Sequence, residues 1–417
     1  MHTAICLPDH SNTAPKFDGS RVTGAYNIDR DKMSQVDMTM SKQWAARPED
    51  ERFTTLDEML AKAEYFERNS RENPVDVTKI HVSPTMDIIL PHKSGFGETQ
   101  LIPTNLAFGQ LCSIAAPVIP QNFAMQLPVG RAADMLSWGL ARSGAKNVSA
   151  YTFEDSGASL LRSCLYNEST RVTIAEILRA LRPVVGNLTG MDGSNWKTPG
   201  KLDWGRYQHN PWNMEGQESL FMSDRDACLF FCQDANPIEC GVTRRGLPDV
   251  YFPGVIIMAS ETICMSIRIT RMMLRAVCRN LSLRGVQDQK TTMVKHKGNS
   301  LLRLARALGN VADANVNALT FKRQIMEMKA TRIPLLGMND SAEDKDEARQ
   351  RFLVNRLRLG KKVSLTIMET SLRHEGHPID TLADAHNAIT QHAQTCKNYD
   401  ARAEFEFTAR KLLPKAA

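Results

Sequence analysis

Short apolar runs, each closed by glycine, proline or a capping threonine, set the limits on what this chain can build. Met86-Asp87-Ile88-Ile89-Leu90 and Gln100-Leu101-Ile102 enclose Ser94-Gly95-Phe96-Gly97, the pattern of a β-hairpin. Thr55-Leu56-Asp57-Glu58 has capping-box spacing instead, and Met59, Leu60, Ala63 and Phe66 follow it on one helical face. Thr104 caps a helix from Asn105 to about Ala115, ahead of Pro117 and Pro120, and Ala132, Met135, Leu136 and Leu140 mark another between Gly130 and Ser143. Ser159 to Tyr166 reads as a buried strand, and Thr173-Ile174-Ala175-Glu176 as a second capping box opening a helix through Leu181. Ala227 to Cys232 and Val250 to Met258 are strand-like. The second is broken by Pro253-Gly254, which predicts an edge strand or a bulge. Helical patterns dominate from Thr262 onward. Both periods in such short elements predict an α+β fold: short strands in a mixed or antiparallel sheet with packed helices, and a largely helical C-terminal third.

With 417 residues, 42% of them apolar, the chain has material for a sizeable core. Residues 1–50 mix Ser, Thr, Asp, Asn and Met without period and are expected to form a flexible arm. An α+β core over 51–260, interrupted by a Gly- and Trp-rich loop at 186–217, should then lead into a mainly helical region over 261–417. Glu343-Asp344-Lys345-Asp346-Glu347 suits a solvated linker or a helix start. No stretch has the length and apolarity of a signal peptide or a membrane span, so a cytoplasmic protein without a membrane partner is expected. The nine cysteines are scattered in apolar contexts with no CxxC pair, as reduced, buried thiols would be.

Several segments, taken in order, resemble the phage/plasmid-like family of unknown function found on prophages, plasmids and integrative elements. The first is Leu101-Ile102-Pro103-Thr104-Asn105-Leu106-Ala107-Phe108-Gly109-Gln110-Leu111-Cys112, with Leu127-Pro128 downstream. The second runs from Val250 to Glu261 and leads into Arg271 to Asn280, similar to the family's strand, Ser-Glu step and Val-Cys-x-Asn helix. His296-Lys297-Gly298-Asn299 matches its basic His-Lys-Gly element, and Thr381 to Thr390 its C-terminal helix. The family's Asp-Arg-Tyr step is replaced here by Tyr166-Asn167-Glu168-Ser169-Thr170. The resemblance implies a mobile genetic element in a bacterial host, and it brings no catalytic residue.

From Met265 to Asn310, ten Lys or Arg residues face a single acid, Asp288. Arg268, Arg271, Arg275 and Arg279 fall at spacings of three, four and four, which on a helix makes one basic stripe. Lys295 and Lys297 follow in a connection, and Arg303 and Arg306 open the next helix. Guanidinium groups in such an array donate paired hydrogen bonds to phosphates and release counterions from a nucleic-acid backbone. The alternative is a solvated face or pairing with carboxylates from elsewhere. Trp196 to Tyr207 interleaves Trp204 and Tyr207 with Lys and Arg, which suits stacking of unpaired bases, although tryptophans in such a loop also serve as anchors on the core.

Of His374, His377, His386 and His392, the last two are six apart and off a common helical face, His374-Glu375-Gly376-His377 has the wrong spacing for a zinc-protease helix, and Cys228, Cys232 and Cys240 lie across a predicted strand, so no metal site is expected. Asp224 and Asp226 are the only carboxylate pair singled out for a divalent cation. No P-loop, GxGxxG, HExxH or GxSxG occurs, so no cofactor or catalytic residue is assigned, and the sequence leans away from an enzyme without deciding against one that uses no local motif. The expected function is nucleic-acid binding in replication or recombination, with single-stranded DNA favoured as partner and a homo-oligomer compatible with it. A protein-interaction or structural role is the first rival, and a metal-dependent nuclease the second.

Overall fold

The computed structural model describes residues 51–91, 97–120, 127–144, 147–155, 158–166, 171–185, 196–202, 218–223, 226–234, 237–243, 246, 248–262, 266–275, 283–284, 292–295, 298–312, 318–333, 341–393, 395–396, 404–405 and 408–414. The expected N-terminal arm lies outside them. After β1 (Arg52–Phe53), Thr55 and Glu58 exchange hydrogen bonds at 3.2 and 3.3 Å, closing the capping box that starts α1 (Leu56–Asn69).

A six-stranded sheet follows. Its members are β2 (Ser70–Asp76), β3 (His81–Val82), β4 (Ile88–Pro91), β5 (Glu98–Pro103), β6 (Asn147–Asp155) and β7 (Ala158–Tyr166), ordered β2-β6-β7-β5-β4-β3. The expected β4–β5 hairpin is present, and β5 runs parallel to β7 while the other pairs are antiparallel. One face is covered by α2 (Asn105–Ile114), capped by Thr104 Oγ1 on the Ala107 N–H at 3.1 Å, and by α3 (Val129–Ala141). Phe108, Leu111, Leu136, Leu161 and Cys164 pack between these helices and the sheet. Gly139 allows the close approach, since a Cβ there would lie 2.9 Å from that of Ala115.

The second capping box is also real. Thr173 and Glu176 trade hydrogen bonds at 2.8 and 3.1 Å at the start of α4 (Ile174–Val185). The chain then lays down β8 (Trp196–Lys197), β9 (Leu220–Met222), β10 (Asp226–Gln233), β11 (Ile238–Val242), β12 (Pro248–Ser260), β13 (Ile267–Arg275), β14 (Leu283–Arg284) and β15 (Thr292–Val294). With β1 they form a nine-stranded antiparallel sheet ordered β1-β9-β10-β12-β13-β14, on which β8, β11 and β15 pair with β10, β12 and β13. Helices α1, α4 and α5 (Ser300–Ala312) fill the layer between the two sheets. Phe66, Leu178 and Leu304 share a core there with Phe153 and Leu160 of one sheet and Leu229 and Ile257 of the other. Each such buried side chain stabilises the fold by about 1.5–3 kcal/mol before its ordering entropy is counted.

Pro253 marks no sheet edge. β12 is an interior strand, with β13 along one side and β10 then β11 along the other. The β10 ladder ends at Cys232↔Gly254 and that of β11 begins at Ile238↔Tyr251, so Pro253, which has no N–H to donate, falls in the gap between them. Residues 267–275 form no helix. Ile267 and Ile269 are buried and alternate with exposed Arg268, so the period of two wins over the helical spacing of the arginines. The expected division after residue 260 falls in the turn of the β12–β13 hairpin, whose strands pair from Tyr251↔Arg275 to Met258↔Arg268.

Helices take over from α5. α6 (Ala318–Ala330), α7 (Ala342–Arg351), α8 (Lys361–Glu375) and α9 (Leu382–Ala393) enclose Phe321, Phe352, Ile367 and Ile389 against Tyr251 and Met273 at one end of the large sheet. The acidic run is the first turn and a half of α7, where Ser341 and Asp344 cap each other.

Candidate nucleic-acid interface

Because β13 is a strand, the four arginines expected as one stripe separate. Arg268 is exposed and sits opposite Met293 of β15, on the face away from Ile267, Ile269 and Val294, which join the core beneath α5. Arg271 lies opposite Val255, and Arg279 is outside the described residues. Arg275 is buried and committed. Its guanidinium is 2.6 Å from Asp249 and 3.3 Å from Glu375, and Lys329 reaches the same Asp249 at 2.6 Å. Burial alone would raise the Asp249 carboxyl, but Arg275 and Lys329 outweigh it and hold the pKa below the ordinary range. Arg275 therefore ties β13 to the C-terminal helices and does not face a polyanion, which corrects its expected role.

The remaining cations follow the chain around the side of the large sheet at β15, which among the described residues pairs only with β13. Arg268 lies on the outer face, exposed Lys295 stands just past the end of β15, and Arg303 and Arg306 are exposed on α5. Leu304 and Ala307 hold the opposite face of α5 in the core. Ser300 Oγ donates to the Lys295 carbonyl at 3.0 Å, and Gly298 turns with φ of 57°, a left-handed conformation that favours glycine. Arg268, Lys295 and Arg306 make no ion pair among the described residues. Met293 and Leu302, 59% and 50% exposed, stand beside them. Lys297, Trp204 and Tyr207 lie outside the described residues. Trp196 is an anchor: in β8 it pairs with Gln233 of β10, and it is buried in the inter-sheet core.

A second charged centre was not legible as a unit. Tyr151 of β6 pairs with Ser163 and Thr152 with Leu161, so Arg162 is the extra residue of a β-bulge. The bulge re-aims a fully buried guanidinium onto Glu261, at the end of β12, at 2.5 Å. Ser70 Oγ accepts from the same guanidinium at 2.8 Å, and the Tyr151 ring lies 4.8 Å from it. Glu261 also accepts the Ile174 N–H at the first turn of α4, at 3.1 Å, and the Tyr151 hydroxyl at 3.3 Å. Burial, then the Glu261 charge, push the Tyr151 phenol up to about 12, so it stays protonated. The centre joins both sheets and α4 with its polar groups turned on one another. Its signal in the sequence was a lone Arg in the apolar run 160–165 and a lone Glu closing another at 261.

Among the described residues no three His, Cys, Asp or Glu side chains come together as metal ligands. Asp226 accepts from Ser223 Oγ at 2.7 Å, a turn contact, and Asp224 is outside the described residues. Burial raises the thiols of Cys164, Cys232 and Cys240, the first and last to about 12, so they are unsuited to nucleophilic work. A cavity of about 490 Å³ on the small sheet, lined in part by Arg71, Glu72, Thr152 and Glu154, gathers none of the expected site residues. No protein-family model matches the chain, and neither a curated protein nor a solved structure gives a match.

Proposed function

We propose that this protein is a nucleic-acid-binding accessory factor of a mobile genetic element, acting on single-stranded DNA in replication or recombination through the basic rim of Arg268, Lys295, Arg303 and Arg306. The observation that carries the reading is the exposure of these four cations around the β15 side of the large sheet, in a stretch of sequence with one acid. Such a rim reads the phosphate backbone and has little sequence preference. The mobile-element setting rests on the family resemblance.

Four phosphate contacts to a single strand give a slope of log K against log salt of about −3, or roughly a 50-fold loss between 50 and 200 mM. Fluorescence anisotropy with labelled oligonucleotides over that range tests it. The Arg268→Ala/Lys295→Ala/Arg303→Ala/Arg306→Ala variant should bind weakly with a slope shallower by about 3, and wild-type protein that fails to bind at low salt would sink the proposal. Met293 and Leu302 favour the competing reading, an acidic protein partner. In that case nuclease treatment leaves the assembly seen by size exclusion unchanged.

A further inference from the structure

The solvent side of α3 carries a second, separate arrangement of cations and apolar surface. Arg131, Met135, Trp138 and Arg142, the last at the helix C-cap, are spaced by four, three and four residues and are all exposed. The opposite side of the helix, with Ala132, Leu136, Gly139 and Leu140, is packed into the small-sheet core. Trp138 is 51% exposed, although a tryptophan on a helix anchored this firmly has apolar surface to bury. The Arg142 guanidinium lies over its indole, 4.8 Å from the ring centroid. Val118 and Leu127, 68% and 40% exposed, come from the segments flanking this helix. Asp134 is the exposed acid on α3, while Lys79 and His81, from chain that packs against α3, are exposed cationic or titratable neighbours.

We propose that this face of α3 is a stacking platform for single-stranded nucleic acid: Trp138 takes one unpaired base, and Arg142 and Arg131 hold neighbouring phosphates. A ring with a guanidinium over it offers a π-face and a phosphate fork within one step of a strand. Two arginines against one carboxylate suit a polyanion. The platform also selects for unpaired bases, since a duplex hides its ring faces in the stack. The inference rests on the nucleic-acid reading above but assigns a different surface.

The test measures anisotropy of labelled oligothymidylate, and of a matched abasic oligonucleotide, against wild type, Trp138→Ala, Trp138→Phe, Arg131→Ala/Arg142→Ala and the rim variant. Thermal melts check that each variant is folded. Trp138→Ala should weaken oligothymidylate binding by at least about 5-fold and leave abasic binding unchanged, while Trp138→Phe keeps most of the affinity. The double arginine variant should make the salt slope shallower by about one to two. Binding that the rim variant weakens but Trp138→Ala does not touch overturns the platform and leaves the rim standing. The reverse pattern supports the platform and removes the rim. No wild-type binding at low salt overturns both. If Trp138→Ala instead abolishes a higher-mass species in light scattering without changing oligonucleotide binding, the face joins copies of this chain and the proposal falls.

Discussion

Removing both partners of the Arg162–Glu261 pair should cost no more than removing either one alone. The side chains are 0% and 3% exposed and their charged atoms are 2.5 Å apart, so at an effective dielectric constant near 20 their attraction is on the order of 6 kcal/mol. Desolvating the two ions costs several kcal/mol each, which cancels most of that gain and leaves a pair of small net worth. The single substitutions are different, because each strands a charge that the fold still buries. Arg162→Met leaves the Glu261 carboxylate with the Tyr151 hydroxyl, the Ile174 N–H and the field of the neighbouring Arg171, and Glu261→Gln removes the carboxylate from a guanidinium whose other contacts include Ser70 and the Phe66 and Tyr151 rings. Each should cost about 3–5 kcal/mol. The double variant should cost no more than one single, a coupling on the order of 3 kcal/mol. Urea denaturation of the four proteins, followed by far-ultraviolet circular dichroism, measures all of these terms. Singles costing under about 1 kcal/mol each, or singles that simply add in the double variant, would refute the claim that the bulge exists to join the two sheets through this pair.

The same denaturation assay separates two arginines of one strand. Arg275→Ala, which leaves Asp249 buried beside Lys329 alone, should cost about 3–5 kcal/mol, whereas Arg268→Ala on the exposed face should stay within about 0.5 kcal/mol. Stability should also fall in acid through His386, which burial, then the Arg275 charge, push down to about 4. Its folded pKa lies below the unfolded value, so its contribution is complete above about pH 6.5 and is lost as pH drops toward 4, with a ceiling of about 3 kcal/mol. Denaturant midpoints between pH 7 and pH 4.5 in wild type and His386→Phe should diverge over that window, and parallel curves would remove His386 as a source.

Local rules wrote much of this fold openly. Thr55, Thr104 and Thr173 each cap the helix their spacing announced, and the 86–102 hairpin pairs as its apolar runs required. These depend on chemistry within four residues or on plain alternation. The misreadings came where two periods competed or where a partner was distant. Arg268, Arg271 and Arg275 imitate a helical face, yet Ile267-Arg268-Ile269-Thr270 alternates with β-branched residues, and burial beneath α5 decided the matter. Pro253 suggested an edge or a bulge because nothing local tells that β10 stops and β11 starts on either side of it. Of the expected site, Arg268, Lys295, Arg303 and Arg306 are displayed at one rim, while Arg275 was claimed by Asp249 and Glu375, residues 26 and 100 positions away. The Trp138 face was hidden in the sequence because Met135 falls in the apolar period of α3 with Ala132, Leu136 and Leu140 yet is exposed, so nothing local separates the buried side from the outward one.

The order in which the strands appear along the chain matters while the chain is being made. The small sheet is contiguous, closing between Ser70 and Tyr166, so it can assemble as soon as that stretch has left the ribosome. β1 precedes it but pairs with β9, at Arg52↔Phe221 and Phe53↔Leu220. At roughly 5–20 residues per second, the N-terminal strand waits about 10–30 s for its partner. During that interval α1 has only the small sheet to cover its apolar side, and α4, β10 and β12 arrive later to seal the layer. A translational pause after residue 166 would prolong this half-built state without disturbing the sheet already formed, whereas a pause inside β12 would hold a long apolar strand unpaired along the side that β13 later covers.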